Sequence, residues 1–408
     1  MKITFELLKE LSKKAGDSFY IFDSAKFADN YDSFLNAFLK YYDNTIISYS
    51  YKTNYIPAIV KLAKDLGAYA EVVSELEYDL AIKIGVNPEK IIVNGPYKTF
   101  EAYKKYLLNG SLVNIDSKYE IDLIKQLSKE YKNKTFKIGI RCNFVANPDY
   151  ISRFGIDIQD KNFISIYKEL KSIENIKISS IHSHFPDRDI KFYKNRALTM
   201  IKIATEILDE VPDYIDLGGG FFGNIPVNLI KQFNIDQLPT YNDYAIEIAQ
   251  TFYEYFSNTS KKPILILEPG TAIVADTIYF VTKVLDIKKV QNKLIANLSG
   301  SKFNLGFLSK TINLPINIFS EKENGNYYEN LDFAGYTCIE NDYLYKNFNG
   351  KLSINDFVVF SNAGSYSVVF KPPFILPNVP IFEIDKFNNI KLIKRQENFD
   401  DIFATYIF

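Results

Sequence analysis

The sequence predicts an α/β protein with a (β/α)8 TIM-type barrel and a C-terminal β-rich domain, which is barrel-like or sandwich-like. Three observations support this fold class. Short apolar segments alternate with longer amphipathic segments eight times between residues 46 and 270. Chemically reactive side chains stand at the ends of the apolar segments. After residue 270, helical periodicity gives way to short strand-like segments separated by turns.

The eight apolar segments are rich in β-branched and aromatic residues, as buried parallel strands are. The helical segments between them, such as 56–67 and 117–133, repeat apolar residues every three or four positions. Eight strand–helix units suit a (β/α)8 barrel, and a doubly wound open sheet is the alternative, although it usually has fewer strands. The predicted strands are 46–52, 68–74, 90–96, 111–117, 136–143, 178–185, 213–220 and 263–270.

The last third of the chain has a β-rich pattern. Segments 276–290, 293–299, 356–362 and 379–384 read as strands. Segments 323–326, 347–350 and 371–373 are rich in Asn, Gly and Pro and read as turns. We therefore predict a barrel domain over 26–275 and a β-rich domain over 276–408, which residues from about 1 to 25 would join.

Composition argues against several classes of partner. The chain has 408 residues and a formal net charge of −1, which gives no electrostatic reason to expect nucleic acid or an anionic membrane as a partner. No apolar run is long enough to cross a bilayer. Residues 1–17 are amphipathic and contain Glu6 and Glu10, so they lack the uncharged core of a secretion signal. The resulting prediction is a cytoplasmic location.

The cysteines and histidines are few. Cys142 and Cys338 are far apart and form no CxxC pair, which argues against a disulfide framework or a zinc–thiolate site. The only histidines, His182 and His184, are alternate residues of a predicted strand and would share one face. A metal site would also need carboxylates that the sequence does not place, so no metal is predicted.

The ends of the predicted strands carry the candidate functional residues. In a (β/α)8 barrel, catalytic groups gather at the C-terminal ends of the strands. A merely structural barrel would carry ordinary polar residues there, whereas these ends are chemically rich. They carry Lys52, Ser74, Arg141, His184, the glycine triplet Gly218, Gly219 and Gly220, and Glu268.

An ordered set of motifs resembles those of the fold-type III pyridoxal-phosphate decarboxylases, the family of ornithine and diaminopimelate decarboxylases. No single motif is specific, but the order is, and the resemblance spans residues 49–366. The motifs are YSYKTN, AEVVSELE, HSHF, DLGGGF, LEPGT, GYTCIEND and NAGSYSVVF.

The resemblance implies pyridoxal 5′-phosphate as the cofactor. Lys52 occupies the position of the family's Schiff-base lysine, and burial would lower its pKa and free the neutral nucleophile. His184 would stack on the pyridine ring. Glu268 would face the ring nitrogen and keep it protonated, so that the ring accepts electrons.

The resemblance also assigns the rest of the cofactor pocket. Glu71 replaces the family's usual aspartate and would line the pocket with Ser74 and Glu77, and Arg141 is a further cofactor-binding candidate. The phosphate would be bound by Tyr366 and by the backbone of Gly218, Gly219 and Gly220, because residues without side chains let successive N–H groups approach an anion.

One departure concerns the phosphate. Thr271 stands where the family has an arginine that serves the phosphate or a substrate anion. Backbone dipoles, or one of Arg153, Arg188 and Arg196, must then meet the phosphate charge, and the sequence does not rank them.

In the β-rich domain the resemblance implies a proton donor. Cys338 stands where the family's cysteine protonates the product carbanion in the active site of a neighbouring subunit, so we expect a homodimer. The family's acid after this cysteine, which binds a distal amine, is replaced by Ile339. Glu340, Asp342 and Thr271 are therefore the candidate substrate-binding residues.

These residues predict α-decarboxylation of an amino acid. The changes at Thr271 and Ile339 favour a non-standard or conjugated one, of the siderophore, antibiotic or polyamine type. A racemase on the same fold is one alternative, but it would need a tyrosine base and an alanine-asparagine-alanine-tyrosine-glycine stretch after the lysine, where this chain has TNYIP. A non-catalytic homologue is another, but it would usually lack the lysine or the cysteine.

Overall fold

The computed structural model describes residues 2–306, 312–322 and 325–408. The chain divides into two units. One holds residues 30–223 and 239–272, and the other holds residues 1–29, 224–238 and 273–408. The second unit includes the segment 224–238, which the sequence-based limits place inside the barrel domain. Those limits stay a prediction.

Strands occur in both units. In chain order, they are β1 (Phe19–Asp23), β2 (Thr45–Ser50), β3 (Tyr69–Val72), β4 (Ile91–Val93), β5 (Leu112–Ile115), β6 (Phe136–Asn143), β7 (Ile156–Asp157), β8 (Ile176–His182), β9 (Tyr214–Asp216), β10 (Ile264–Leu267), β11 (Ile278–Val290), β12 (Lys293–Leu298), β13 (Ile316–Phe319), β14 (Asn326–Ala334), β15 (Tyr343–Leu352), β16 (Phe357–Phe360), β17 (Ile381–Ile384) and β18 (Ile390–Lys394).

The α-helices separate most of the early strands. They are α1 (Phe5–Ala15), α2 (Ser24–Leu39), α3 (Pro57–Asp65), α4 (Glu75–Lys83), α5 (Phe100–Leu108), α6 (Tyr119–Glu130), α7 (Lys161–Lys171), α8 (Tyr193–Lys202), α9 (Val227–Gln232), α10 (Tyr241–Ala245), α11 (Thr251–Phe256), α12 (Thr271–Val274) and α13 (Phe399–Phe403). Among the described residues, no helix combines the length and apolar character that crossing a membrane requires.

Eight parallel strands close into a barrel, which confirms the predicted fold class. Their order around the barrel is β2, β3, β4, β5, β6, β8, β9 and β10, and β10 pairs with β2 to close it. Most of their residues are buried, because helices cover the outside of a parallel barrel and side chains fill its inside. At its N-terminal end, Ile92, Leu112 and Ile266 form a small apolar cluster.

Seven of the eight predicted barrel strands end earlier in the structure than predicted, and only 136–143 keeps its end. β2 ends at Ser50, and Lys52 lies on the 3₁₀ turn Tyr51–Thr53 that follows it. β8 ends at His182, the last residue that pairs with β6 and β9. His184 therefore lies in the following loop, and the prediction that the two histidines share a strand face is wrong.

The second unit contains a predominantly antiparallel sheet. Its main path is β15-β14-β12-β11-β1-β17-β18, and β16 adds β13 to the edge of β11. The N-terminal strand β1 pairs with β11 and β17. Helix α1 packs Leu8 and Leu11 against the same apolar core as Phe19 and Val281. This is the β-rich part of the predicted fold class.

One predicted turn is a continuous strand. Segment 347–350 lies inside β15, which pairs with β14 through register shifts. Asn330 and Asn347 both have positive φ, 54° and 59°, and such residues occur at bulges as well as at turns. The asparagine- and glycine-rich segment 347–350 was therefore predicted as a turn because it forms an irregular part of a strand. Of the turn predicted at 323–326, Glu323 and Asn324 lie outside the described residues.

Candidate active site

Lys52 lies at the C-terminal end of β2 and bonds to a buried carboxylate. Its Nζ donates a hydrogen bond to Glu71 Oε2 at 2.5 Å, and Ser50 Oγ donates to the same oxygen at 2.6 Å. Glu71 lies on β3 and is fully buried. The Lys52 side chain is 31% exposed. The amine is thus held at the barrel end by Glu71 and is still accessible from outside.

A hydrogen-bond network links Glu71 to Glu268, which follows β10. Asn94, directly after β4, donates from Nδ2 to Glu71 Oε1 at 3.1 Å and to Glu268 Oε1 at 2.6 Å. Its Oδ1 accepts a hydrogen bond from Asn114 Nδ2 at 2.8 Å. One amide therefore fixes the positions of two carboxylates. Sequence reasoning missed Asn94 and Asn114, although a polar residue that directly follows the apolar run IIV is a usable signal.

Glu268 also lies beside two buried groups, His182 and Asp216. His182 Nε2 is 3.4 Å from Glu268 Oε2. Burial would raise the pKa of Glu268, but the His182 imidazole, Lys52 and His184 together lower it below its ordinary value. Burial and the charge of Glu268 raise the pKa of Asp216. The two shifts run in opposite directions and favour the charged form of Glu268 and the neutral form of Asp216.

The same three side chains would suit a metal ion by their chemistry. One ligand atom each from His182, Asp216 and Glu268 lies within 4.8 Å of the others. The absence of a metal stays a prediction. Sequence reasoning did not select His182 or Asp216 as site residues. Each is the buried last residue of its strand, and no sequence spacing shows that the two side chains lie close together.

His184 presents a neutral ring near Lys52. Burial, followed by the charge of Lys52, lowers the pKa of His184 well below its ordinary value. Its Nδ1 accepts a hydrogen bond from the Gly219 N–H at 3.0 Å, so the ring proton is on Nε2. Arg141 on β6 donates to the His184 carbonyl at 3.3 Å and forms an ion pair with Asp116 at 3.1 Å. Arg141 thus holds the His184 loop in place.

The glycine triplet follows β9 and is packed against neighbouring backbone. A methyl group on Gly218 would lie 2.6 Å from the Ser183 carbonyl oxygen, and one on Gly219 would lie 2.5 Å from the Glu268 carbonyl oxygen. Only glycine fits at these two positions. The triplet is therefore held directly against Glu268.

Two amides at the end of the triplet are available to an anion. The Gly218 N–H donates to Asp216 Oδ1 at 2.8 Å, and the Gly219 N–H donates to His184. The amides of Gly220 and Phe221 donate to no residue within the described parts of the chain. Adjacent backbone N–H groups without a partner are typical of a phosphate-binding loop.

Ser74 and Glu77 form the start of α4. Ser74 Oγ accepts from the Glu77 N–H at 3.2 Å, and Glu77 Oε2 accepts from the Val73 N–H at 2.8 Å. Burial raises the pKa of Glu77 to about 7, against the effect of the Val73 hydrogen bond. These contacts cap the helix, and contact of either residue with a cofactor stays a prediction.

In the β-rich unit, the Asp342 carboxylate joins its own loop to the segment that follows β12. Its Oδ1 accepts from Ser301 Oγ at 3.0 Å and from the Lys302 N–H at 2.9 Å. Its Oδ2 accepts from Thr337 Oγ1 at 2.6 Å and from the Thr337 N–H at 3.2 Å. This geometry supports a structural role, and binding of substrate by Asp342 stays a prediction.

Three further candidates in this unit lie on loops. Cys338 has an exposed thiol, whereas Cys142 is buried on β6. Glu340 is exposed. Tyr366 has a φ of 57° in the loop that follows β16. The proton-donor, substrate and phosphate roles of these residues stay predictions.

Thr271 and the three candidate arginines have different surroundings. Thr271 begins α12, and its Oγ1 accepts a hydrogen bond from Arg188 Nη2 at 3.4 Å. Arg196 is buried. Arg153 is exposed and lies over the ring of Phe154, with 4.1 Å between the guanidinium carbon and the ring centroid. The structure thus joins one of the three, Arg188, to Thr271.

The residues present fit pyridoxal phosphate. An accessible amine, a buried ionised carboxylate, a neutral aromatic ring and two unpaired amides lie at the C-terminal ends of strands of one barrel. These are the groups that this cofactor requires for covalent attachment, for its ring nitrogen, for its ring face and for its phosphate. The fold and the site thus define a pyridoxal-phosphate enzyme of the barrel type.

The comparisons with known proteins agree. Residues 29–275 match the family model described as the pyridoxal binding domain of the pyridoxal-dependent decarboxylases. The chain therefore belongs to this family, and it is a pyridoxal-phosphate-dependent amino-acid decarboxylase, as the sequence predicts.

Individual relatives are distant but cover nearly the whole chain. A diaminopimelate decarboxylase of Aquifex aeolicus is 25% identical over 97% of this chain and 93% of its own length. An L-glutamyl-[BtrI acyl-carrier protein] decarboxylase of Niallia circulans is 26% identical over 97% of this chain and 95% of its own. The crystal structure of the Methanocaldococcus jannaschii diaminopimelate decarboxylase superposes with a TM-score of 0.86 at 24% identity, covering 98% of this chain and 94% of that one.

Proposed function

We propose that the protein removes the α-carboxyl group of a non-standard or conjugated amino acid, with Lys52 attached to the cofactor. The observation that carries the proposal is the position of the Lys52 amine, bonded to buried Glu71 and linked through Asn94 to ionised Glu268. Two groups with opposite tasks, a nucleophile and a partner for the ring nitrogen, are fixed by one network.

The chain's own residues then have separate tasks. When bound, pyridoxal phosphate supplies a carbonyl carbon that amines attack and a ring that accepts electrons. Lys52 Nζ is the amine that attaches the cofactor, and Glu71 orients it. Glu268, whose lowered pKa favours its charged form, would keep a proton on the ring nitrogen. His184, whose lowered pKa favours its neutral form, would cover one face of the ring and exclude water from it.

The proposed substrate class follows from the protein residues that are available to bind the side chain of the substrate. A distal ammonium group that leaves water needs a carboxylate partner, because an unpaired buried charge costs several kcal/mol. The residue after Cys338 is apolar Ile339. The Asp342 carboxylate already accepts four hydrogen bonds, two from Thr337 and two from the segment of Ser301 and Lys302. A masked or carrier-linked side chain avoids this cost. The relative from Niallia circulans, named for a carrier-linked glutamyl substrate, supports this proposal.

A comparison of substrates tests this. We expect free lysine, ornithine and diaminopimelate to react with kcat/KM below roughly 10⁴ M⁻¹s⁻¹, and side-chain-acylated or carrier-linked analogues to exceed it. Ile339→Glu should raise kcat/KM for free lysine, because it restores an acid at that position, and Ile354→Glu on an exposed surface should not. Free diaminopimelate as the best substrate would overturn the conjugated class and leave the decarboxylase assignment intact.

We propose further that the active sites are shared between two subunits, with Cys338 delivering a proton to the α-carbon after carbon dioxide leaves. Its exposed thiol supports this role. Lys52→Ala and Cys338→Ala should each be inactive in amine formation. After subunit exchange, the mixture should regain part of the activity, because one hybrid site contains both groups. If exchange is verified by mass spectrometry and no activity returns, each site is built from one chain.

A further inference from the structure

Arg196 is a buried cation next to the end of the glycine triplet. It is 1% exposed, and its guanidinium carbon lies 4.5 Å from the centroid of the Tyr193 ring. Its Nη2 donates to the Asp187 carbonyl at 3.1 Å, while Nε and Nη1 have no hydrogen-bond partner among the described residues. A methyl group on Gly220 would lie 3.0 Å from Tyr193 Oη and 3.1 Å from that same carbonyl oxygen. The buried charge therefore fixes the loop beside Gly220.

Arg188 is a second cation of the same loop and is half-buried. Its guanidinium carbon is 5.4 Å from the centroid of the Phe222 ring, two residues after the triplet. Tyr244 Oη links the two backbones, since it donates to the Arg188 carbonyl at 2.7 Å and accepts from the Phe222 N–H at 3.4 Å. Arg188 Nη2 reaches Thr271 Oγ1. The guanidinium thus lies between the residue at 271 and the segment that follows the triplet.

The contacts of Arg188 leave its charge available. Its hydrogen bond to Thr271 is long, at 3.4 Å, and therefore weak. Arg188 forms no ion pair with a carboxylate in the described parts of the chain. A phosphate ester carries about −1.5 to −2 charges at neutral pH, and a guanidinium binds such a group through two parallel N–H bonds. An anion at the Gly220 and Phe221 amides would meet this side chain.

We infer that Arg188 binds the phosphate group of the cofactor and does so in place of an arginine at position 271, while Arg196 is a positioning residue for the loop. The inference rests on the proposed cofactor site. The positive charge of Arg188 thus comes from a different segment of the chain and reaches the position at which Thr271 supplies only a hydroxyl group. The weak hydrogen bond to Thr271 Oγ1 places the guanidinium beside position 271 and leaves its charge available.

Binding to the cofactor-free protein tests the inference without an activity assay. Equilibrium dissociation constants are measured for pyridoxal phosphate and for pyridoxal, which lacks the phosphate. Arg188→Ala should raise the dissociation constant of pyridoxal phosphate about tenfold to a hundredfold, because a charge-assisted pair is lost. The dissociation constant of pyridoxal should not change. Lys191→Ala is the matched control, because it removes an exposed cation close in sequence to Arg188. Lys191 forms an ion pair with Asp189 at 2.8 Å.

The double variant Arg188→Ala/Thr271→Arg provides the rescue. It should recover the preference for pyridoxal phosphate over pyridoxal, since the guanidinium returns to the same place from position 271. If Arg188→Ala weakens the binding of pyridoxal phosphate and of pyridoxal equally, or leaves the preference for pyridoxal phosphate unchanged, the inference is overturned. A raised KM for substrate with unchanged cofactor binding also overturns it, because the guanidinium would then bind the substrate. If the unmodified protein binds neither compound, the proposed cofactor site itself is wrong, and that result is distinct from the others.

Discussion

Lys52→Ala is expected to lose the covalent link to pyridoxal phosphate and almost all decarboxylation. In the role we propose, the Lys52 amine attaches the cofactor, and Glu71 orients it through a hydrogen bond of 2.5 Å. Loss of a nucleophile lowers kcat by several powers of ten in other enzymes, and we expect roughly a 10³-fold loss or more here. The purified protein should be yellow, and borohydride should bleach it and leave the cofactor on the peptide that contains Lys52.

The control for this variant is Lys61→Ala, which removes an exposed lysine of α3 that forms an ion pair with Asp65 at the surface. It should keep the colour and the rate. If Lys52→Ala binds the cofactor with an unchanged absorption spectrum, the attachment is elsewhere and the assignment of the site is wrong.

Glu268→Gln should slow the reaction strongly while the cofactor still binds. The glutamine keeps the shape and the contact with Asn94. It loses the negative charge that, in the role we propose for Glu268, would keep a proton on the ring nitrogen. Removal of one preorganised electrostatic partner typically costs 10²- to 10³-fold in kcat, and we expect about that loss. The absorption spectrum of the bound cofactor should also change, because the ring nitrogen loses its proton.

The lowered pKa of Glu268 makes this effect independent of pH over the usual range. A carboxylate whose pKa lies below its ordinary value stays ionised as the pH falls from 8 to 5, so the ratio of wild-type to variant kcat should stay constant. Glu254→Gln, on the exposed face of α11, should have the wild-type rate. A Glu268→Gln variant with the wild-type spectrum and rate would assign the ring nitrogen to another group.

The fold was predictable because each strand of the barrel carries its own signal. Predicted strand 136–143 has the bounds of β6, and the two predicted helical segments contain α3 and α6. Strand ends were harder to predict. β8 stops at His182 because its last pairing partner, Asp216, comes from a distant part of the chain. Asparagines at bulges, such as Asn347, resemble turn residues in sequence although the strand continues.

The site was predictable only where a side chain has a distinctive chemistry at a strand end. Lys52, His184 and Glu268 meet that condition, and the structure brings them to one end of the barrel. The position of Asn94 after the run IIV was a signal, but its role could not be predicted, because that role comes from the two distant carboxylates that it joins. Asp342 shows the opposite case: it stands in a suitable motif, but both of its carboxylate oxygens accept hydrogen bonds from Thr337, Ser301 and Lys302.

Decarboxylation is tested by following the carboxyl and α-carbon atoms of the substrate. A panel of free and conjugated amino acids with a ¹³C-labelled carboxyl group is incubated with the protein in D₂O, and carbon dioxide and amine are measured by mass spectrometry. We expect labelled carbon dioxide and amine in equal amounts, with one deuterium on the former α-carbon, and no such products from Lys52→Ala. Deuterium on the α-carbon of amino acids that keep their carboxyl group, without carbon dioxide, would show racemisation and contradict the assignment as a decarboxylase.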